Sequence, residues 1–201
     1  MATALKHSFS RPVTASEDAP LPCSAREFER LAAQYPDLRM EMSAEGDITL
    51  MAPAHSETGR SNFNLAVQLG QWIKQGGGGI GFDSSTGFTM PSGAVISPDI
   101  AWVEASRWQT LSPDAHKGFV ALVPDFVIEL RSPSDRLSTL QKKMRHYLAS
   151  GIKLGWLLDP RLMRVEVYLP GQAVQVLLDP KTVSADPLLP GFALDLSEIF
   201  T

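Results

Sequence analysis

Apolar residues along this chain recur at two periods, and the switches between them mark out the elements. Ser24 followed by Glu27 forms a capping box, so a short helix starts there with Phe28 and Leu31 inward. It should stop near Tyr35-Pro36, because the residue before a proline avoids helical geometry. Residues 38–42 and 48–51 flank the turn-rich stretch Ser43-Ala44-Glu45-Gly46-Asp47 and read as a hairpin closed by Pro53. From 55 to 75 the period is helical: Phe63, Val67 and Trp72, together with Leu65, Leu69 and Ile73, recur at three- and four-residue spacings. The glycines at 76–79 end that helix and read as a flexible exit. They lack the lysine and the strand-to-helix context of a phosphate-binding loop.

Strands follow at 80–83, 87–90 and 100–103, then the apolar strand Phe126–Leu130. After a turn at Ser132-Pro133-Ser134-Asp135, a helix over 136–150 carries Leu137, Leu140, Met144, Tyr147 and Leu148 on its inward face, with Gly151 as its C-cap. Further strands are expected at 154–158, 164–169 and 174–178, the last two joined around Pro170-Gly171, and a helical turn over 196–200. This order predicts an α/β (α+β) layer fold, a central mixed β-sheet flanked by helices, with 126–158 as a βαβ unit. Residues 1–21, rich in Ala, Ser, Thr and Pro, read as a flexible N-terminal arm before one domain over 22–201.

Composition narrows the class. Hydrophobic residues make up 44% and charged residues 20% of the 201, as in a soluble globular protein. The net charge of −4 counts mildly against nucleic-acid binding, where phosphate contacts favour a basic surface. Cys23 is the one cysteine, so no internal disulfide forms and a reducing cytoplasm is the expected location. No apolar run approaches the ~20 residues of a membrane span, and no signal peptide is evident at the start.

Three residues carry candidate chemistry. Asp99, after Pro98, opens a strand; Glu129 lies inside an apolar one; Lys143 is on the following helix. An ionised carboxylate in an apolar strand is costly unless paired, hydrogen-bonded or metal-bound. Two carboxylates on adjacent strands offer hard oxygens to Mg²⁺, with Mn²⁺ as a substitute. A nearby ammonium stabilises charge on a phosphate and helps position or deprotonate a water.

The run from Pro98-Asp99 through VIELRSPSD, KMRHYLASGI and WLLDP resembles the Uma-two family of restriction endonucleases, in the PD-(D/E)XK nuclease superfamily. The resemblance covers roughly residues 24–200 and implies a restriction-endonuclease-like core with Asp99 and Glu129 as metal ligands, joined by the Leu130 backbone carbonyl. The superfamily's usual lysine position holds Arg131, which stays charged and cannot act as a base. Lys143 on the next helix takes its place by this resemblance. His55 and Glu57 at the start of the long helix, and Asp83 on the strand before the Pro98-Asp99 motif, are further candidates.

Each residue also has a plainer reading. Pro124-Asp125 is a second Pro-Asp pair, so Asp99 alone would be a turn or cap residue. Glu129 would pair with Arg131 or Arg164, and Lys143 would be a solvated helix residue. His55 would neighbour a helix cap, and Glu57 would complement the helix dipole. Trp72, Trp102 and Trp156 belong to the core and Trp108 to a loop. The expected function is Mg²⁺-dependent hydrolysis of DNA phosphodiester bonds by a homodimer. The alternatives are an inactive nuclease-fold module that binds nucleic acid or a protein, and a hydrolase for another phosphoester.

Overall fold

The computed structural model describes residues 23–200, so the arm expected over 1–21 lies outside the described residues. Helix α1 (Ala25–Gln34) starts at the expected capping box, with Ser24 N–H donating to the Glu27 carboxylate at 2.9 Å. Strands β1 (Arg39–Met42) and β2 (Ile48–Met51) form the hairpin, with Arg39 opposite Met51. Helix α2 (Ser56–Trp72) runs into a π-helical turn over Ile73–Gly77. Then come β3 (Ile80–Asp83), β4 (Phe88–Thr89), β5 (Val95–Ile96), β6 (Ile100–Val103), helix α3 (Ala105–Gln109) and β7 (Phe126–Leu130). Helix α4 (Leu137–Ser150) ends at Gly151, left-handed at φ 107° as a C-cap requires. Strands β8 (Leu154–Asp159), β9 (Arg164–Tyr168), β10 (Gln175–Leu178), β11 (Thr182–Ser184) and β12 (Ala193–Asp195) complete the described chain.

The central sheet has six strands in the order β10-β9-β8-β7-β6-β3. Only β7 and β8 run parallel, and α4 crosses between them as the βαβ pattern predicts. Side chains alternate across β7 and divide the core in two. Phe126, Ile128 and Leu130 pack with Leu65 and Leu69 of α2, while Val127 packs with Leu140, Met144 and Tyr147 of α4. Glu129, two residues from Val127, therefore faces α4. The hairpin lies outside this sheet: β1 pairs with β5 through Met42 and Val95 in a second sheet, β2-β1-β5-β4.

Several local expectations change. Helix α2 buries one stripe, Ser61, Leu65 and Leu69, whereas Phe63 is 67% exposed and Val67 36%. Phe63 and Val67 each lie two residues from Leu65, about 200° round the helix, so both stripes cannot face one sheet. The strand expected over 87–90 shrinks to Phe88–Thr89. Its partner Val95–Ile96, helix α3 and the β11–β12 hairpin are too short for periodicity to reveal. Trp108 sits in α3, its ring stacked on His116 at 4.2 Å. The glycine run is a packed turn rather than a flexible exit: Gly78 C=O accepts from Trp102 Nε1 at 3.0 Å, and Gly77 and Gly79 lie against the Trp72 and Trp102 rings.

Candidate active site

Strand register brings the two predicted carboxylates together. Ile100 of β6 pairs with Ile128 of β7, so Asp99 and Glu129 each lie one residue beyond that pair. Asp99 Oδ2 accepts the Leu130 backbone N–H at 2.8 Å, and Oδ1 accepts from Asn62 Nδ2 of α2 at 3.2 Å. Glu129 is 3% exposed. Its Oε1 accepts the Tyr147 hydroxyl at 2.8 Å and lies 3.0 Å from Lys143 Nζ. Lys143 and Tyr147 are four residues apart, hence on one face of α4.

Lys143 is thus the cation of Glu129. Arg131 instead donates to Asp159 at 2.7 Å and to the Asp135 carbonyl at 3.2 Å, and Arg164 pairs with Glu166 at 2.8 Å. The second Pro-Asp pair is structural, since buried Asp125 is held by Arg107 at 2.7 Å, Lys153 at 3.0 Å and the Glu104 N–H at 2.9 Å.

The sequence reading missed two members of the cluster. Glu41 of β1 lies 3.0 Å from Lys143 Nζ through Oε1, which also accepts the Ser97 N–H at 2.9 Å. Lys143 donates in turn to the Ser97 carbonyl at 3.1 Å. The cue that marked Glu129, a carboxylate between apolar strand residues, also marks Glu41 between Met40 and Met42. Asn62 is the second, one position from the buried stripe of α2.

Other candidates lie apart. His55 is the N-cap of α2 without a side-chain capping bond, Glu57 is in its first turn, and both are exposed. Asn62 is the α2 residue that reaches Asp99, two turns further in. Asp83 is exposed, faces Ile100 across the ladder, and accepts from Ser85 N–H at 3.0 Å.

The electrostatics follow from burial. Desolvation pushes Glu129 up to about 8, against the pull of the Lys143 ammonium and with the help of Asp99 and Glu41. Desolvation also raises Asp99, opposed by the Leu130 N–H and Lys143. Burial works against the Lys143 charge, yet Glu129, Glu41 and Asp99 together hold the ammonium well above its usual range.

Among the described residues no group of three or more His, Cys, Asp or Glu is arranged to hold a metal. The donor set nevertheless fits a hydrated divalent ion, which takes one or two carboxylates and keeps several waters. Two observations support the fit. Both described contacts of Glu129 end on Oε1, leaving Oε2 for a further ligand. Beside Asp99, the buried Asn62 Oδ1 has no hydrogen-bond partner among the described residues and offers an acceptor to an ordered water.

No curated protein matches the sequence. The fold is similar to a crystal structure of a "putative nuclease belonging to DUF820" from Anabaena variabilis ATCC 29413, with a TM-score of 0.73 and 24% identity over 89% of this chain and 98% of that one. The model of the Uma2 family, described as "Putative restriction endonuclease", matches residues 25–197. The chain belongs to the Uma2 family.

Proposed function

We propose that the chain is a divalent-metal-dependent endonuclease that hydrolyses DNA phosphodiester bonds. Family membership supports a nuclease. The observation that carries the finer reading is the Asp99–Glu129 pair on adjacent strands, with Lys143 Nζ 3.0 Å from Glu129. Asp99, Glu129 and the Leu130 carbonyl would hold Mg²⁺ or Mn²⁺. Such an ion, when bound, polarises a phosphoryl oxygen and makes a water more acidic.

The chain's own residues do the rest. The Leu130 N–H and Asn62 orient Asp99, and the Tyr147 hydroxyl fixes Glu129 by Oε1. Lys143, held by three oxygen acceptors, acts as a fixed cation that stabilises charge on the phosphate; an ammonium so held is a poor base. Arg131, occupied by Asp159, supports the strand end rather than the reaction. Two copies act together, each on one strand, and the exposed apolar edge of β10 supports such a homodimer.

The test is plasmid cleavage. With Mg²⁺ or Mn²⁺ the chain nicks or cuts DNA, EDTA stops it, and Asp99→Ala or Glu129→Ala lowers the rate at least ~100-fold. Cleavage that survives both substitutions would sink the assignment. A second reading, an inactive nucleic-acid-binding module, is favoured by the ammonium between Glu129 and Glu41, which already occupies an oxygen of each. It requires salt-sensitive DNA binding with no metal-dependent turnover.

A further inference from the structure

A cleft of about 530 Å³ opens between α1, the β1–β2 hairpin and the segments around Ser85 and Phe119. Leu38, Met51 and Phe119 line it as apolar surface, and Leu38 and Met51 are 48% and 36% exposed. Ser85, Thr86 and Arg39 contribute hydroxyls and a guanidinium, and Arg39 donates to the Ser84 carbonyl. Phe119 can form its part of the wall because residue 87 is glycine: a Cβ there would lie 2.5 Å from the ring.

The cleft shares a wall with the carboxylate cluster. Ser97 borders it, and the backbone of Ser97 holds both Glu41 and Lys143. Arg39 precedes Glu41 by two residues on β1, on the same side and ~7 Å away. A strand lying over Glu129 and Asp99 would therefore have a neighbouring nucleotide at the cleft mouth.

Flat apolar surface rimmed by hydrogen-bonding groups is what a splayed-out base requires. A guanidinium can both stack on a base and bond its edge. Glu29 and Lys117 also border the cleft with opposite charges, which leaves the Arg39 guanidinium beside the apolar wall. We propose that this cleft binds the base of an unpaired nucleotide beside the scissile phosphate, so that the substrate strand is locally single-stranded where it is cut. The cutting position rests on the nuclease reading above; the base-binding cleft does not.

The test uses the full chain carrying Glu129→Gln, in EDTA, so binding is read without cleavage. Fluorescence anisotropy compares a mixed-sequence single-stranded DNA with an abasic strand of equal length. The intact strand should bind about tenfold more tightly, as expected for base–side-chain contact. Ala33→Trp, which fills the cleft from α1, should remove that preference while leaving the melting temperature and the affinity for the abasic strand unchanged; Arg39→Ala should also remove the preference, with weaker binding of both strands because a cation is lost. Equal binding of the two strands, no binding, or a preference kept by both variants overturns the proposal. Wild-type cleavage combined with no base preference removes the cleft and leaves the nuclease; base preference without any cleavage does the reverse.

Discussion

Glu129 sits in an apolar strand at 3% exposure, faced by Lys143, the Tyr147 hydroxyl, Asp99 and Glu41. Burial makes its charged form costly, so in the metal-free protein it holds its proton up to about pH 8 rather than near 4.5. A divalent ion must displace that proton. Mn²⁺ affinity measured by calorimetry should therefore climb about tenfold per pH unit up to pH 8 and then level off. The metal-free fold shows the opposite trend. Its folded-state value lies above the unfolded one, so this stabilisation is full below pH 4.5 and is lost as pH rises through 8. A flat Mn²⁺ affinity between pH 6 and 9 would remove Glu129 from the ligand set. Asp99 was marked in the sequence by its place after Pro98 in the run that resembles the family, and Glu129 by a carboxylate inside an apolar strand. Glu41 carried the same cue, but its importance depends on Lys143, 102 positions away in sequence.

At the scale of elements, the cluster joins strands of two sheets with two helices, α4 at Glu129 and α2 at Asp99 through Asn62. Strand β7 presents Glu129, β1 presents Glu41 from the smaller sheet, and α4 places Lys143 and Tyr147 between them. The crossover from β7 through α4 to β8 was foreseeable from a strand–helix–strand pattern, and it fixes the Glu129 side of the site. The glycine turn after α2 shows how tightly the elements lock. Gly79 has φ +74°, and an added Cβ would strike the Trp102 indole. Gly79→Ala should destabilise the fold by about 2 kcal/mol, seen as a lower denaturant midpoint. Gly70→Ala, in α2 with open space around it, should instead stabilise by about 0.5–1 kcal/mol. If the two variants shift the midpoint alike, the turn is not packed as described.

Across the whole molecule, the large sheet ends in β10, where Val176 is 47% exposed and Leu178 75%. An exposed apolar edge strand is a template for pairing with another chain. The homodimer proposed here uses that edge, so Val176→Lys with Leu178→Lys should convert a sedimenting dimer into a monomer of unchanged helix and strand content. An unaltered dimer would place the interface elsewhere. The smaller sheet also ends in an exposed strand, β2, with Leu50 61% exposed, but Met51 of that strand lines the cleft assigned to a nucleotide base.

Local chemistry determined much of this protein from sequence alone. The capping box began α1, Gly151 ended α4, a nearly continuous apolar run marked β7, and the order of elements announced a mixed sheet with a βαβ crossover. Each depends on residues within a few positions of one another, where period and propensity act directly. Tertiary structure alone decided which cation lies against Glu129, that the hairpin forms a separate sheet and supplies Glu41, and that α2 reaches Asp99 through Asn62 rather than Glu57 or His55. Those outcomes depend on strand register and on the helix face packed against the sheet. Register is set by burial of the whole apolar pattern, and no short window of sequence contains it.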